Sequence, residues 1–223
     1  MKQALTFLEE LSASNTRDRM HAHQDAYKAA KTTMLWLSKI LIEKIGKFDA
    51  TLDDLTPPET LFRLAKDTRF SKDKSPYKSN FGIVIAPSGK KSIFPCYYIH
   101  IQPGNHSFIG GGLYRPEPHI QKFIRDALVR DRKTFHKLLM QKKFITTRGE
   151  MIGDSYKRVP VWYDAVHPAI DLIKHKDWLF NLSLKDKELL ALDFAENITA
   201  SFRILHPVNA WLADAIRNWI EEK

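Results

Sequence analysis

The stretch KDTRFSKDKSPYKSN, residues 66–80, carries the residue types best suited to hold a negatively charged ligand. Five of its side chains are cations, and Asp67 and Asp73 are its only anions. Cationic groups that point at one spot neutralise a phosphate or a carboxylate, and arginine can do so with two parallel hydrogen bonds. In this interpretation Asp67 orients Arg69 by a charge-assisted hydrogen bond, and the stretch is an anion site.

Other residues of the stretch support the same interpretation. Ser71 or Asp73 can cap the turn that presents the following backbone N–H groups, and Tyr77 can supply a hydroxyl or a stacking face. The alternative is a solvated basic loop in which Phe70 and Tyr77 serve only as anchors and the lysines point into water. The predicted ligand-binding residues are Arg63, Lys66, Asp67, Arg69, Ser71, Lys72, Asp73, Lys74, Tyr77, Lys78 and Arg115.

Catalytic candidates are few. His100 lies in a predicted strand, a rigid position for a general base, and Asp67 is the second nominee. Cys96 lies among strand aromatics, which favours a buried thiol over a nucleophile. The histidines are scattered: His21 and His23 are two residues apart in a predicted helix and point to different faces. We therefore predict no metal site and no cofactor.

The run Gly110–Gly112 lets the backbone approach another group closely. One possibility is an anion-binding nest, because Arg115 and a predicted helix start follow directly. The other is close packing within the sheet, and this is the interpretation we favour. Neither a dinucleotide-binding nor a P-loop pattern is present.

These residues must be positioned by a chain of 223 residues with a formal net charge of +9. The positive charge favours anionic partners. The Lys and Arg residues are spread along the chain and not concentrated on one face or in a tail, which disfavours nucleic acid as the partner. A single cysteine excludes an internal disulfide and favours a cytoplasmic location. No leader sequence and no membrane-spanning segment is expected. The oligomeric state stays open.

Apolar periodicity predicts helices at 3–12 and from about residue 21 to Gly46. Strand composition predicts four strands at 61–65, 81–87, 93–101 and 106–114, and short turns make the sheet antiparallel. The basic stretch is then the one long connection in the sheet, and long ordered connections are often functional. Further helices are predicted from Pro116 onward and near 166–175, 185–202 and 207–221, the last beginning at Pro207.

The fold class predicted is α+β, with an antiparallel sheet of about four or five strands flanked by N-terminal and C-terminal helices. We expect a single domain over 1–223. It would be helical over 1–56, form a sheet over 60–115, and be helical again over 116–223 with a possible short hairpin at 144–163.

Three blocks carry a resemblance to a known family: LFRLAKDTRFSKDKSPYKSNFG (61–82), YYIHIQPGNHSFIGGGLYRPEP (97–118) and KRVPVWYDAVHPAIDLIKHKDW (157–178). In that order they resemble the bacterial domain-of-unknown-function family numbered 2461, and the likeness continues to 202–212. The resemblance implies a cytoplasmic single-domain α+β protein and supplies no reaction or ligand. It marks the basic stretch as the family signature, although Lys66 stands where members typically show arginine.

A second departure lies in block 14–27, where Arg19 and Met20 replace a usual aromatic pair and Gln24 replaces a usual lysine. If that block shapes the wall of the site, the ligand or its affinity differs here. Our leading hypothesis is a protein that binds a small phosphate-bearing anion through loop 63–78. The alternatives are a hydrolase or transferase acting on a phosphorylated compound at the same site, and a basic module for an acidic protein or nucleic acid.

Overall fold

A computed structural model describes residues 1–69, 72–148 and 151–221. The helices are α1 (Lys2–Ala13), α2 (Arg17–Ala22), α3 (Gln24–Gly46), α4 (Pro57–Thr60), α5 (Pro118–Leu139), α6 (Lys142–Arg148), α7 (Ile170–Ile173), α8 (Asp186–Leu189) and α9 (Phe194–Glu221). The strands are β1 (Phe81–Ile85), β2 (Cys96–Ile101), β3 (Ser107–Leu113) and β4 (Trp178–Leu184). The four strands form one antiparallel sheet in the order β1-β2-β3-β4, which confirms the α+β class.

Turn residues set the connections between the first three strands. The turn after β1 passes through Ser88 and Gly89, and the turn after β2 through Gly104 and Asn105, all four with positive φ. Gly89 leaves no room for a side chain, since a Cβ there would lie 2.6 Å from the Glu59 carbonyl oxygen. These left-handed positions explain why glycine and asparagine occur where the chain reverses.

The described chain divides into two compact units. The first contains Met1–Lys90, Tyr98–Ile109 and Ser183–Thr199, and the second contains Lys91–Tyr97, Gly110–Leu182 and Ala200–Lys223. The predicted boundaries of one domain over 1–223 stay a prediction. Within the described residues, no helix has both the length and the apolar character needed to cross a membrane.

The first unit is built on α1, α3 and β1. Apolar residues at helical spacing, including Leu8 and Leu41, are fully buried, and so is Ile83 in the strand. The Phe7 ring stacks on Phe81 with centroids 6.2 Å apart, which joins α1 to β1. Burial of these side chains supplies the main stabilising free energy of the unit.

The second unit is held by aromatic pairs and by one buried cation. Phe135 on α5 packs on Trp211 of α9 with centroids 4.5 Å apart, and Phe144 on α6 meets Phe180 of β4 edge-on at 4.9 Å. Arg125 on α5 is only 5% exposed, and its guanidinium donates to backbone carbonyls. A buried charge of this kind needs such acceptors to offset its lost hydration.

Two sequence predictions about strands need correction. The predicted strand 61–65 makes only two isolated antiparallel bridges, Leu61 with Ile83 and Ala65 with Tyr77. Three residues separate Leu61 from Ala65, whereas five separate Tyr77 from Ile83, so the register shifts between the two bridges and no regular ladder forms. The region 116–223, predicted to be helical, also contains the strand β4.

The predicted helices of the C-terminal region are also revised. Pro207 lies inside α9 rather than at a helix start, and the helix runs continuously from Phe194. Of the helix predicted at 166–175, only α7 forms. The possible hairpin at 144–163 overlaps α6, and Gly149, on which it was centred, is outside the described residues.

Candidate anion-binding site

Backbone hydrogen bonds close the basic stretch at its two ends. The Lys66 N–H donates to the Pro76 carbonyl at 2.8 Å, and the Lys78 N–H donates to the Leu64 carbonyl at 2.9 Å. Tyr77 is fixed from outside the stretch by Asn15, whose amide accepts from the Tyr77 N–H at 3.1 Å and donates to its carbonyl at 2.9 Å. The two ends of the loop are therefore closed like the base of a hairpin.

Asn15 belongs to block 14–27, the segment that we expected to shape the wall of the site if a wall exists. The pKa of Tyr27, in the same block, is raised first by burial and then by the neighbouring Tyr77. The block thus contacts the closing end of the loop. Sequence reasoning missed Asn15 because nothing near it in the chain indicates that its amide binds a residue 62 positions away.

Arg69 is paired inside the loop, as predicted. Its Nε and Nη2 donate to the two carboxylate oxygens of Asp67 at 3.0 and 2.7 Å, and its backbone N–H donates to Oδ1 at 3.2 Å. These bonds hold the pKa of Asp67 below its usual range and raise the pKa of Arg69. A carboxylate held ionised on both oxygens is a poor general base, so Asp67 is the weaker catalytic nominee.

Lys66 and Lys74 are likewise engaged within the loop. Lys66 Nζ donates to Asp73 Oδ2 at 2.5 Å and to Ser75 Oγ at 2.9 Å, while Asp73 Oδ1 accepts from the Ser75 N–H at 2.8 Å. The Lys66 bond is the largest cause of the lowered pKa of Asp73. Lys74 Nζ donates to the Thr68 carbonyl at 3.0 Å. These cations hold the loop in shape.

Arg63 and Lys78 differ from Lys66, Arg69 and Lys74. Neither makes an ion pair or a side-chain hydrogen bond with another described residue. Lys78 Nζ lies over the Phe62 ring, 5.5 Å from its centroid. The pKa of Lys78 is lowered, first by burial and then by the charge of Arg63. The Lys78 N–H bonds to the carbonyl of Leu64, next to Arg63 in the chain, so both cations belong to the closed end of the loop.

The remaining predicted ligand residues are Ser71, Lys72 and Arg115. Lys72 is exposed and makes no hydrogen bond or ion pair within the part of the chain that the structure describes. Phe70 and Ser71 lie outside the described residues. Arg115 belongs to the second unit, where it adopts a positive φ of 45° and its N–H donates to Asp177.

His100 lies on the outward side of β2, in contact with the Phe108 ring at a centroid distance of 4.6 Å. Its Nε2 is 3.0 Å from Gln102 Oε1, and its Nδ1 is 3.3 Å from both Asn80 Nδ2 and the Tyr98 hydroxyl. Because the Gln102 oxygen only accepts, the proton is on Nε2 and Nδ1 is the acceptor. Burial lowers the pKa of His100, so the imidazole is neutral at pH 7.

Gly110–Gly112 is explained by packing. A Cβ at Gly111 would collide with the Cys96 carbonyl and Leu205, and one at Gly112 would collide with the Trp178 carbonyl. Cys96 is half-buried, and the packing around its thiol raises the pKa of that group to about 12. A thiol in this state is not a nucleophile at neutral pH. Among the described residues, no three His, Cys, Asp or Glu side chains cluster as metal ligands.

The sequence did not indicate several residues that lie around Lys78 and His100 in the first unit. They are Phe62, Asn80, Tyr98, Gln102 and Phe108. One signal was present: β2 alternates buried and half-buried residues, which places Tyr98 and His100 on the same side of the sheet. Phe62 and Asn80 carry no comparable pattern.

Comparison with known proteins gives one family. A family model described as a conserved hypothetical protein, DUF2461, matches residues 3–211. The chain belongs to this family. The match confirms the resemblance carried by the three sequence blocks, and the DUF2461 description assigns no activity. Neither the curated proteins nor the solved structures contain a match to the chain.

Proposed function

We propose that this DUF2461 protein is a cytoplasmic binding protein for a small phosphate-bearing anion, which it holds between Arg63 and Lys78. The observation that carries the proposal is the backbone bond from the Lys78 N–H to the carbonyl of Leu64, the residue next to Arg63, which brings the two cations to the same end of the loop. The charge of Arg63 accordingly lowers the pKa of Lys78, and it also lowers the pKa of Asp67. Like charges held together repel each other, and an anion between them removes the repulsion. Arg63 is exposed and can bind phosphate with two parallel N–H bonds, while Lys78 adds a point charge.

The other cations of the loop have a supporting role in this proposal. Lys66, Arg69 and Lys74 are engaged by Asp73, Asp67 and the Thr68 carbonyl, so they give the loop its shape. The backbone bonds at the closed end of the loop present Arg63 and Lys78 with little further loss of backbone entropy on binding. Lys72 is the additional cation that faces solvent.

Isothermal titration calorimetry with pyrophosphate and with a nucleoside triphosphate, at low salt, tests the proposal. Arg63→Ala and Lys78→Ala should each weaken binding about 10- to 100-fold, since each removes a charge-assisted bond to the ligand. Lys31→Ala is the matched control, because Lys31 is an exposed cation of the same unit on α3. The proposal is wrong if the parent binds neither anion, or if Lys31→Ala weakens binding as much as Arg63→Ala.

An enzyme that uses the same anion, a hydrolase or a transferase, is the second candidate. It is favoured by His100, whose neutral imidazole is the form that a general base needs. Release of inorganic phosphate from the bound compounds is the measurement. Turnover that His100→Gln abolishes without a change in affinity would support an enzyme, and binding without turnover would leave only the binding function.

A further inference from the structure

Aromatic rings occupy the outward side of the sheet in the first unit. Tyr98 and His100 project from β2, and Phe108 projects from β3; the Tyr98 and Phe108 centroids are 5.7 Å apart. Phe62 lies beside them and is 37% exposed. We call these four residues the aromatic face. Aromatic side chains on a sheet surface provide stacking partners for planar ligands, because every planar ring has a π-face.

The aromatic face is continuous with the two cations. A Cβ at Gly82 would lie 2.8 Å from the Tyr98 hydroxyl and 3.3 Å from Phe62 Cδ2, so both rings lie over this glycine. The Lys78 ammonium lies over the Phe62 ring, 5.5 Å from its centroid. Phe62 thus links Lys78 to Tyr98, and Arg63 is the next residue of the chain after Phe62. A ligand with a phosphate at one end and a planar ring at the other matches this arrangement.

Hydrogen-bonding groups border the rings. The side-chain amides of Asn80 and Gln102 each use one group on His100 and retain a further donor or acceptor. The Tyr98 hydroxyl lies beside them, 3.3 Å from His100 Nδ1. Neutral donors and acceptors next to an aromatic surface suit the edge of a nucleobase, whereas a purely apolar ring would leave them without partners.

We propose that the anion bound at Arg63 and Lys78 is the phosphate of a nucleotide, whose base lies against the aromatic face at Phe62 and Tyr98. This inference rests on the proposed function and adds the class of ligand. A free nucleotide is favoured over a nucleic-acid strand, because a strand needs a row of cations along its backbone. Here three of the neighbouring cations, Lys66, Arg69 and Lys74, are engaged within the loop.

Affinities for matched ligands test the inference. Stacking of one base should make a nucleoside diphosphate bind about 5- to 100-fold tighter than pyrophosphate. Phe62→Leu keeps an apolar side chain and removes the ring, so the ratio between the nucleotide and pyrophosphate affinities should fall to near one. The ratio is compared within the variant because Phe62 also contacts Lys78, and retained pyrophosphate binding shows that the variant is folded.

The outcomes separate the inference from the function on which it rests. Equal affinities for the nucleotide and pyrophosphate would overturn the nucleotide and keep the anion site. A preference for the nucleotide that survives in Phe62→Leu would also overturn it, because the base would then lie elsewhere. No binding of either ligand would overturn the proposed function itself. Tighter binding of a 12-nucleotide RNA, with a salt slope of several phosphate contacts, would replace the free nucleotide by a strand.

Discussion

Replacement of Arg125 should cost the second unit a large share of its stability. Its Nε donates to the Ile173 carbonyl at 2.7 Å, and its Nη2 donates to the His175 carbonyl at 2.8 Å and to Gln121 Oε1 at 2.9 Å. The guanidinium also lies 5.2 Å from the Tyr156 ring centroid. One buried side chain thus supplies donors to two backbone carbonyls that flank the approach to β4.

The size of the effect follows from these bonds. A hydrogen bond with a charged donor contributes about 1.5–3 kcal/mol, and a buried carbonyl without a partner costs about 1–3 kcal/mol. Arg125→Met keeps the apolar stem and removes every donor, so it should lower the free energy of unfolding by about 3–5 kcal/mol. That is a large fraction of the roughly 5–15 kcal/mol by which a domain is stable.

Urea unfolding followed by tryptophan fluorescence is the assay. Of the five tryptophans, only Trp36 lies in the first unit, so the signal reports chiefly on the unit that contains Arg125. Lys133→Ala, an exposed cation on the same helix, is the control and should change stability by no more than about 0.5 kcal/mol. A loss of less than about 1 kcal/mol in Arg125→Met would refute the role given to the guanidinium.

Two further results are expected. Gly112→Ala should destabilise the protein by about 2–4 kcal/mol, because φ is 107° and the new Cβ would collide with the Trp178 carbonyl. Gly46→Ala should instead stabilise the protein by about 0.5–1 kcal/mol, because Gly46 lies in a helix and its Cβ would enter open space. Thermal denaturation distinguishes the two, and equal effects would contradict the packing argument. Burial lowers the pKa of His100 and of His175, so both are neutral in the folded protein above the ordinary histidine pKa of about 6.5. As the pH falls below about 6.5, the unfolded chain binds protons that these buried histidines do not, and the stability of the fold decreases. His100→Gln should therefore flatten, without abolishing, the fall in melting temperature between pH 7 and pH 5; an unchanged slope would refute the assignment.

Sequence patterns predicted the elements whose own residues determine them. The apolar stripes of α1, α3 and α5 and the turn-bounded strands β1 to β3 fall near their predicted positions. β4 was missed although Trp178, Phe180 and Leu184 alternate with less buried residues, because helices were assigned on both sides of it. At Pro207 the sequence predicted a helix start, but the residue lies inside α9. Burial of the neighbouring Leu205 and Val208 outweighs the cost of a proline within the helix.

The candidate site was predictable by region and not by residue. Charge and length drew attention to loop 63–78, but which cations would pair with anions inside the loop depends on side-chain geometry. Asp67 could be assigned to Arg69 from their spacing, whereas the link from Lys66 to Asp73 spans seven residues. Phe62 and Asn80 became candidates only because the fold brings them beside Lys78 and His100.

Ionic strength should affect ligand binding at the basic loop in two ways, because the ion pairs of the loop are exposed to solvent. Salt at physiological concentration and above screens the attraction between a free anion and the cations Arg63 and Lys78. It also weakens the pairs of Lys66 with Asp73 and of Arg69 with Asp67, which hold the loop that carries those cations. The salt dependence of ligand binding to this protein will therefore be steeper than the number of phosphate contacts alone implies.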